Sequence, residues 1–280
     1  MVGTLIVQKK RTPLIRFLSF NMKIIIAGYG FVGKAVGTTV STKHRVLVVD
    51  PKITTNKVTD FPDAEGIIIC VPTPSTSDGQ CNTSIVRSVI AQVPIYMPIL
   101  IKSTITPDKL DEIINEFSDY SICYSPEFLT ANNADKDFAT QKFMIIGGDD
   151  PEYFWKTLFQ SVLEHCSLYF DCSITEASMT KYTVNSFLST KVSFFNQIYN
   201  MCKTNGADFE RVRQMVGHDR RIGAGHTLVP GPDGQFGWGG SCFPKDTKAF
   251  RKYAYGLNKP VTVLDSAMDY NKTVRKDVDL

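Results

Sequence analysis

The chain has 280 residues, which at roughly 100 to 200 residues per domain corresponds to one large or two medium-sized domains. Hydrophobic residues make up 43% and charged residues 21% of the chain, and this ordinary globular usage excludes a disordered, collagen-like or low-complexity protein. The net charge is +3, but residues 1–21 hold four basic side chains and no acid, so 27 basic and 28 acidic side chains remain and a nucleic-acid partner is not predicted.

Residues 1–21 form a basic segment that ends just before Met22, where a strand pattern starts. Their apolar stretches are short and broken, which resembles a transit peptide more than a secretory signal. We interpret them as an unstructured N-terminal extension or as the product of an upstream start codon. The longest apolar runs of the chain fall far short of the ~20 residues that cross a bilayer, so no membrane association is predicted.

From Lys23 onward, apolar strand patterns alternate with helix-compatible segments. This alternation predicts an α/β fold, a Rossmann-like, doubly wound parallel sheet over residues 22–172. The predicted strands are 23–27, 45–49, 66–71, 99–102, 120–124 and 143–147, and the first helix is 31–40.

After residue 149 the sequence becomes predominantly helical. Ser173 and Glu176 form a capping box, and no proline or glycine follows before Gly206, which predicts one helix of roughly 30 residues over 174–204. A loop rich in glycine and proline, 222–240, and two further helices, 246–255 and 262 to the end, complete a predicted α-helical central domain, residues 173–280.

Gly28, Gly30 and Gly33 form a G-x-G-x-x-G between the first strand and the first helix. These glycines permit a tight turn, close approach of the backbone to a pyrophosphate, and close packing of helix on strand. Asp50 lies 20 residues past Gly30, where a carboxylate accepts hydrogen bonds from a ribose diol and repels a 2′-phosphate. The pattern favours a dinucleotide-binding turn over a glycine turn that serves packing alone. Asp50 favours NAD over NADP, whereas the nearby Lys52 favours NADP.

Polar groups follow three of the predicted strands: Thr73 in VPTP, Thr104 in KST and Glu127 in SPEFL. Each would serve a simple turn, but ligands of open α/β sheets bind beyond the carboxyl ends of the strands. We therefore expect the three groups to line one site.

Cys242 follows two glycines and precedes a proline and Lys245. An isolated cysteine is most often buried and inert, but here an ammonium and a helix N-terminus would favour the thiolate, which predicts a nucleophile. Lys181 and Asn185 lie on one face of the long helix and offer a cation and an amide donor to an oxyanion, although this spacing also fits a solvated surface.

The seven cysteines are an odd number without C-x-x-C spacing. This usage argues against a disulfide framework and against a metal site, and it predicts a reducing compartment, the cytoplasm.

Together these motifs resemble the UDP-glucose/GDP-mannose dehydrogenase family, most closely its members that oxidise UDP-glucose. They span the chain from Met22 to about Asn271 in the family's order. The matching stretches are GYGFVG from residue 28, VPTP from 71, KST from 102, SPEFL from 125, KYTVNSFLSTKVSFFN from 181, RIG from 221 and FGWGGSCFPKD from 236.

The resemblance implies an NAD-dependent, two-step oxidation of UDP-glucose to UDP-glucuronate through a thiohemiacetal and a thioester on Cys242. It implies that Lys181 and Asn185 stabilise the oxyanion, and that Asp246, Glu127 and Thr104 organise water. It also implies a homodimer formed through the long helix. The implied cofactor residues are Gly28, Gly30, Val32, Gly33, Asp50, Thr73, Thr104 and Lys245. The implied substrate residues are Glu127, Phe128, Leu129, Lys181, Asn185, Arg221, Gly231, Gln235, Phe236 and Gly239.

The sequence departs from the family pattern in three places. Thr130, Ala131 and Asn132 stand where the family usually has a second glutamate, and the loop between Arg221 and Phe236 is longer than usual. The family also continues into another Rossmann-like domain over the cofactor cleft, so we weigh a separate chain as the source of that domain.

Three other functions remain open at this stage. The first is oxidation of GDP-mannose or a UDP-N-acetylhexosamine by the same chemistry. The second is an inactive NAD-binding and dimerisation module. The third is a one-step β-hydroxyacid dehydrogenase, which shares the Rossmann-like domain and the Lys and Asn pair but has no need of a nucleophilic cysteine.

Overall fold

A computed structural model describes residues 21–130 and 133–278; the predicted extension up to residue 20, together with Ala131 and Asn132, lies outside the described residues. The strands are β1 Lys23–Ala27, β2 Arg45–Val49, β3 Gly66–Ile69, β4 Ile99–Ile101, β5 Ile122–Tyr124, β6 Phe143–Gly147 and β7 Leu168–Cys172. The helices are α1 Phe31–Val40, α2 Ser84–Ile90, α3 Pro107–Glu116, α4 Ala134–Ala139, α5 Phe154–Val162, α6 Ile174–Thr204, α7 Phe209–Gly217, α8 Phe243–Gly256 and α9 Thr262–Val274.

The seven strands form one sheet in the order β2-β1-β3-β4-β5-β6-β7. Because β1 lies between β2 and β3, the direction of winding reverses at β1, and the predicted doubly wound architecture is confirmed. β3 and β4 are buried along their whole lengths, as strands covered by helices on both faces must be. The reversal opens a crevice at the carboxyl ends of β1 and β3, the place where such sheets bind ligands.

The predicted parallel sheet has one exception, because β6 pairs antiparallel to β5 through Tyr124 and Gly147. Between these strands, the part of residues 125–142 that the structure describes includes the six-residue helix α4. Such a helix is about 9 Å long, shorter than the ~16 Å of a five-residue strand such as β6. The chain therefore starts β6 from the carboxyl edge of the sheet and runs back along it.

The long helix α6 begins and ends where the sequence predicts. Ser173 Oγ accepts a hydrogen bond from Glu176 N at 3.2 Å, and Ser173 N donates to Glu176 Oε2 at 2.8 Å, which is the predicted capping box. The helix packs against β5, β6, α3, α8 and α9. It thereby joins the sheet to the helices that follow, and residues on its buried face reach the carboxyl edge of the sheet.

Among residues 21–130 and 133–278, no helix is both long and apolar enough to cross a membrane.

Candidate active site

A cleft of about 330 Å³ lies at the carboxyl edge of the sheet, between the strand ends on one side and α6 and the start of α8 on the other. The predicted strand-end groups meet there, as expected. Its walls come from the glycine turn (Gly30, Phe31, Val32), the strand ends (Cys70, Val71, Pro72, Thr73, Pro74, Lys102, Ser103, Thr104, Glu127, Leu129), α6 (Lys181) and the cysteine loop (Ser241, Cys242, Lys245, Asp246).

The three glycines of the turn have different surroundings. A Cβ on Gly28, whose φ is +85°, would lie 2.8 Å from the Cys70 backbone, and one on Gly33 would lie 1.9 Å from Gly28 O. A Cβ on Gly30 would meet nothing within 4 Å. Gly28 and Gly33 are therefore required by packing, while Gly30 keeps open a space beside the N-terminus of α1. That space fits the pyrophosphate of a dinucleotide.

Asp50 is held in place from the glycine turn. Its Oδ2 accepts a hydrogen bond from Tyr29 N at 2.7 Å, and its Oδ1 accepts one from Lys52 N at 2.8 Å. These backbone donors stabilise the charged form and lower the pKa of Asp50 below its ordinary value. Each carboxylate oxygen keeps a lone pair for a ribose diol, so the residues present fit NAD.

Cys242 is exposed and lies at the N-cap of α8, so the helix starts directly after it. Its main-chain oxygen accepts a hydrogen bond from Asp246 N at 2.8 Å, and its Sγ lies 3.7 Å from Ser241 Oγ. Cys242 therefore lines the cleft at the N-terminus of α8, and its role as a nucleophile stays a prediction.

Lys181 is buried in the wall opposite the strand ends. Its Nζ donates to Glu127 O at 2.5 Å and lies 5.3 Å from the centre of the Phe128 ring. Burial lowers the pKa of Lys181, and the charges of Asp246, Cys242 and Glu127 partly oppose that effect. The ammonium is therefore desolvated and oriented toward the cleft.

Asn185 and Lys245 converge on Asp246, which is 2% exposed. Asn185 Nδ2 donates to Asp246 Oδ2 at 2.6 Å, and Lys245 Nζ lies 2.6 Å from Oδ1. Each carboxylate oxygen has its own donor, so a buried charge is compensated from both sides. This pairing links α6 to α8, and Asn185 reaches the cleft through Asp246.

Thr73 and Thr104 connect two strand ends, because Thr73 Oγ1 donates to Thr104 O at 2.7 Å. Both residues line the cleft with Val32, and their contact with the cofactor stays a prediction.

Two helices hold the glycine-rich segment before Cys242. Trp238 N donates to Asn271 Oδ1 at 2.8 Å, and Asn271 Nδ2 donates back to Trp238 O at 2.9 Å. Gly237 N donates to Asn196 Oδ1 at 2.9 Å, and Trp238 Nε1 donates to Ser193 Oγ at 2.9 Å. These anchors were not predicted from the sequence. The sequence did hold a signal for them, since Ser193 and Asn196 are polar and do not belong to an apolar pattern on the long helix.

Several residues that the resemblance assigns to substrate lie outside the cleft wall, and their roles stay predictions. Arg221 has an 88% exposed side chain and pairs with Asp219 at 2.6 Å. Gly231 and Gln235 close a turn of their own, with Gly231 N donating to Gln235 O at 2.8 Å. Phe236 packs edge-on against Tyr199.

Gly239 packs closely against Arg275 of the same chain, because a Cβ at Gly239 would lie 2.3 Å from the guanidinium carbon of Arg275. Arg275 also pairs with Asp233 and Asp277, at 2.8 and 2.7 Å. The structure explains Gly239 by this close approach, which the sequence did not reveal.

The cleft also holds groups to which the sequence analysis gave no role. Burial raises the pKa of the Cys70 thiol to about 12, so this cysteine stays protonated beside the turn. Lys102 lies at the floor of the cleft with a side chain that is 1% exposed. The sequence shows Lys102 in the KST motif, but the burial of its side chain depends on the pairing of β4 with β5 and was not predicted.

Two sequence models of one family match the chain. That of the UDP-glucose/GDP-mannose dehydrogenase family, NAD binding domain, matches residues 51–165, and that of the same family, central domain, matches residues 175–273. The first match confirms the prediction of NAD.

Curated relatives give the same result. The chain is 30% identical over 223 residues to UDP-glucose 6-dehydrogenase of Rickettsia bellii, which covers 76% of this chain and 50% of the relative. It is 34% identical over 219 residues to UDP-glucose 6-dehydrogenase YwqF of Bacillus subtilis, covering 74% of this chain and 48% of the relative. The chain therefore spans about half the length of the curated relatives it matches.

Among solved structures, a UDP-glucose dehydrogenase from the archaeon Pyrobaculum islandicum superimposes with a TM-score of 0.78 at 25% identity. The superposition covers 90% of this chain and 68% of that one.

Proposed function

Because the chain belongs to the UDP-glucose/GDP-mannose dehydrogenase family, we propose that it oxidises the C6 alcohol of UDP-glucose to the acid in two steps with NAD. One observation carries the proposal: the exposed Cys242 thiol opens into the same cleft as Gly30 of the glycine turn and the buried Lys181. A nucleophile, a cofactor cradle and a cation are thus brought to one place from three separate parts of the chain.

Cys242 holds the substrate carbon between the two oxidations. Its thiolate adds to the C6 aldehyde and forms a C–S bond, which gives a thiohemiacetal and then, after oxidation, a thioester. Water cleaves the C–S bond, and the acid and the free thiol are released. NAD, when bound by Gly30, Val32, Asp50 and the neighbouring cleft residues, supplies the hydride acceptor for each oxidation.

Lys181 stabilises the negative charge that develops on the substrate oxygen. When the thiolate adds to the aldehyde, negative charge forms on that oxygen, and a buried, preoriented ammonium stabilises it more strongly than water does. Lys181 is already fixed by its bond to Glu127 O, so little reorganisation is needed. Asn185 holds Asp246 close to this ammonium and provides an amide donor on the same helix face.

Asp246 and Glu127 are the carboxylates available for water activation. Both are buried, at 2% and 7% exposure, and both line the cleft with Thr104. A carboxylate beside the thioester can orient a water and accept its proton during hydrolysis. The positions of Asp246 at the start of α8 and of Glu127 at the end of β5 place one carboxylate on each side of the cleft.

The test is the stoichiometry of NADH formation by the full chain. With UDP-glucose limiting, we expect two NADH per sugar from the wild type and none from Cys242→Ala. Cys166→Ala is the matched control, because this cysteine is half-buried on a turn and does not line the cleft. NAD binding by calorimetry without turnover on any nucleotide sugar would instead favour the NAD-binding and dimerisation module.

The same assay decides between substrates. GDP-mannose and a UDP-N-acetylhexosamine are run beside UDP-glucose, and the highest kcat/KM identifies the sugar. A product carrying one oxidation only, with activity retained in Cys242→Ala, would favour the one-step β-hydroxyacid dehydrogenase.

We also propose a homodimer through α6. Phe187, Phe194 and Met201 are spaced seven residues apart on this helix, and they are 64%, 55% and 60% exposed. Residues at this spacing lie on one helix face, and large exposed apolar groups in a row are typical of protein interfaces. Light scattering after gel filtration should give twice the mass of the chain, and Phe194→Asp should give the monomer; a monomeric wild type would contradict the proposal.

A further inference from the structure

Lys102 is a buried cation to which the proposed chemistry gives no part. It stands at the end of β4, and its side chain is 1% exposed. Its Nζ lies 3.0 Å from Glu127 Oε2 and 3.2 Å from both Ser125 O and Ser125 Oγ. Ser125 O and Ser125 Oγ accept hydrogen bonds from this ammonium, and Glu127 Oε2 pairs with it by charge. Moving a charge out of water costs several kcal/mol unless it is paired, so this complement of acceptors is tightly specified.

Two aromatic rings close the other side of this ammonium. The Phe138 ring of α4 and the Phe159 ring of α5 have their centres 5.6 and 5.8 Å from Lys102 Nζ, and both rings are fully buried. The positive charge is attracted to the faces of these rings. They also exclude water from the ion pair, which strengthens the attraction between Lys102 and Glu127.

Glu127 is consequently held by two lysines from opposite walls. Lys102 binds its carboxylate and the main chain of Ser125 two residues earlier, while Lys181 Nζ donates to the Glu127 main-chain oxygen. The other carboxylate oxygen, Oε1, accepts from Phe128 N at 3.0 Å. The segment that supplies the acceptor for Lys181 is therefore the same segment that Lys102 fixes.

This inference rests on the proposed function: we propose that Lys102 is a positioning residue, which orients the Glu127 carboxylate at the floor of the cleft and, by fixing residues 125–127, sets the place of the Lys181 ammonium facing Cys242. Lys102 itself transfers no proton and touches no reacting atom. Its effect is exerted through Glu127.

The surroundings of Glu127 set the expected pH dependence. The groups that face it are Lys102 from β4, Lys181 from α6 and the Cys70 thiol after β3; Asp246, Lys245 and Cys242 of α8 lie beyond Lys181. In Lys102→Met the buried carboxylate keeps its desolvation but loses the cation bound to it. An opposite charge beside a carboxylate favours its charged form, and this variant removes that charge.

The experiment measures two pH profiles on the full chain, with NAD binding as a check of the fold. The first is kcat with UDP-glucose. The second is the rate at which iodoacetamide alkylates Cys242, quantified on its peptide by mass spectrometry, which needs no turnover. Lys156→Met is the matched control, because Lys156 also pairs with a carboxylate at 3.0 Å, but with the 57% exposed Asp171 on the surface.

We expect Lys102→Met to lower kcat at neutral pH on the order of 100-fold, the scale of one lost acid–base group, with KM changed much less. The acid limb of both profiles should move to higher pH, whereas Lys102→Arg should restore the position of the limb and Lys156→Met should leave it unchanged. In a Glu127→Gln background, Lys102→Met should add less than about twofold, because two residues acting through one interaction are not additive.

Profiles of Lys102→Met that superimpose on the wild type overturn the proposal, and so does an undiminished effect in the Glu127→Gln background. If Lys102→Met does not fold, the double variant Lys102→Met/Glu127→Gln, which removes both charges, replaces it. A double variant that is no more stable than Lys102→Met also contradicts the proposal. Absence of NADH from the wild type on every sugar would sink the proposed function alone, since the alkylation profiles would still test Lys102.

Discussion

Gly30 and Gly33 offer a matched pair of Gly→Ala substitutions, three residues apart, with opposite expected effects on stability and cofactor binding. Gly30 has φ −69° and ψ −165°, which alanine adopts without strain, and its Cβ would enter open space. Gly30→Ala should therefore leave the free energy of unfolding unchanged or raise it by about 0.4–1 kcal/mol, because the unfolded chain loses freedom.

The same methyl group should weaken NAD binding. It would fill the space left beside the N-terminus of α1, where the backbone has to approach a pyrophosphate. Losing one hydrogen bond to a charged group costs about 1.5–3 kcal/mol, and about 1.4 kcal/mol corresponds to a tenfold change in Kd. Calorimetry should thus show NAD affinity reduced by about tenfold or more, in a protein that melts like the wild type.

Gly33→Ala should do the reverse. Helix propensity alone predicts a gain of about 1 kcal/mol inside α1, but the new Cβ would lie 1.9 Å from Gly28 O, so helix and strand have to move apart. Overpacking of this kind costs about 1–3 kcal/mol or more, and the net effect is a loss. At about 2–4 °C per kcal/mol for a chain of this size, Tm should fall by several degrees. A Gly33→Ala protein more stable than the wild type, or a Gly30→Ala protein with unchanged NAD affinity, would refute this reasoning.

Three further predictions follow from the contacts of the site. Asn271→Ala leaves the buried N–H and C=O of Trp238 without partners and should lower the free energy of unfolding by about 2–5 kcal/mol. The exposed Asn200→Ala is the control and should cost about 0.5 kcal/mol or less. Similar urea unfolding curves for the two variants would contradict this prediction. Backbone donors lower the pKa of Asp50 from 3.8, so its stabilising effect is present above about pH 4 and is lost as the pH falls through the depressed value. The stability deficit of Asp50→Asn, measured in urea, should accordingly be full at pH 7 and shrink under acid, and a constant deficit would argue against the assignment. Burial lowers the pKa of Lys181, so kcat should decline at an alkaline pH below the 10.5 of free lysine. Lys181→Arg should move this decline to higher pH, whatever the absolute rate of the variant. A decline at the same pH in both proteins would show that another group titrates.

The elements that the sequence predicted well are those with local signals. β1, α1 and the glycine turn follow from apolar periodicity and glycine spacing, and α6 from its capping box and the glycine after it. Each of these signals is contained in a few consecutive residues. The strand-end groups were also predicted to share one cleft, because the carboxyl ends of neighbouring strands meet at one edge, whereas Cys242 and Lys181 were joined to them only through the family resemblance.

The elements that were missed carry weaker or non-local signals. β7 is an edge strand whose side chains are mostly exposed or half-exposed, so it lacks the apolar run of a buried strand. The start of α7 did have a signal, since the Asp208 side chain accepts bonds from Glu210 N and Arg211 N as a helix N-cap. The pairs Lys102–Glu127 and Gly239–Arg275 join residues far apart in sequence, and only the packed fold brings them together.

The central claim is that Cys242 carries the sugar between two oxidations. The most direct measurement is mass spectrometry of the full chain as Glu127→Gln, quenched in acid after mixing with NAD and UDP-glucose. This variant loses a carboxylate proposed to activate water, so hydrolysis should slow and the thioester should accumulate. An added mass equal to the UDP-glucuronyl group is expected on the Cys242 peptide, removed by hydroxylamine as a thioester is and absent from Glu127→Gln/Cys242→Ala. Two NADH per sugar from a Cys242→Ala protein, with no adduct on any cysteine of the wild type, would contradict it.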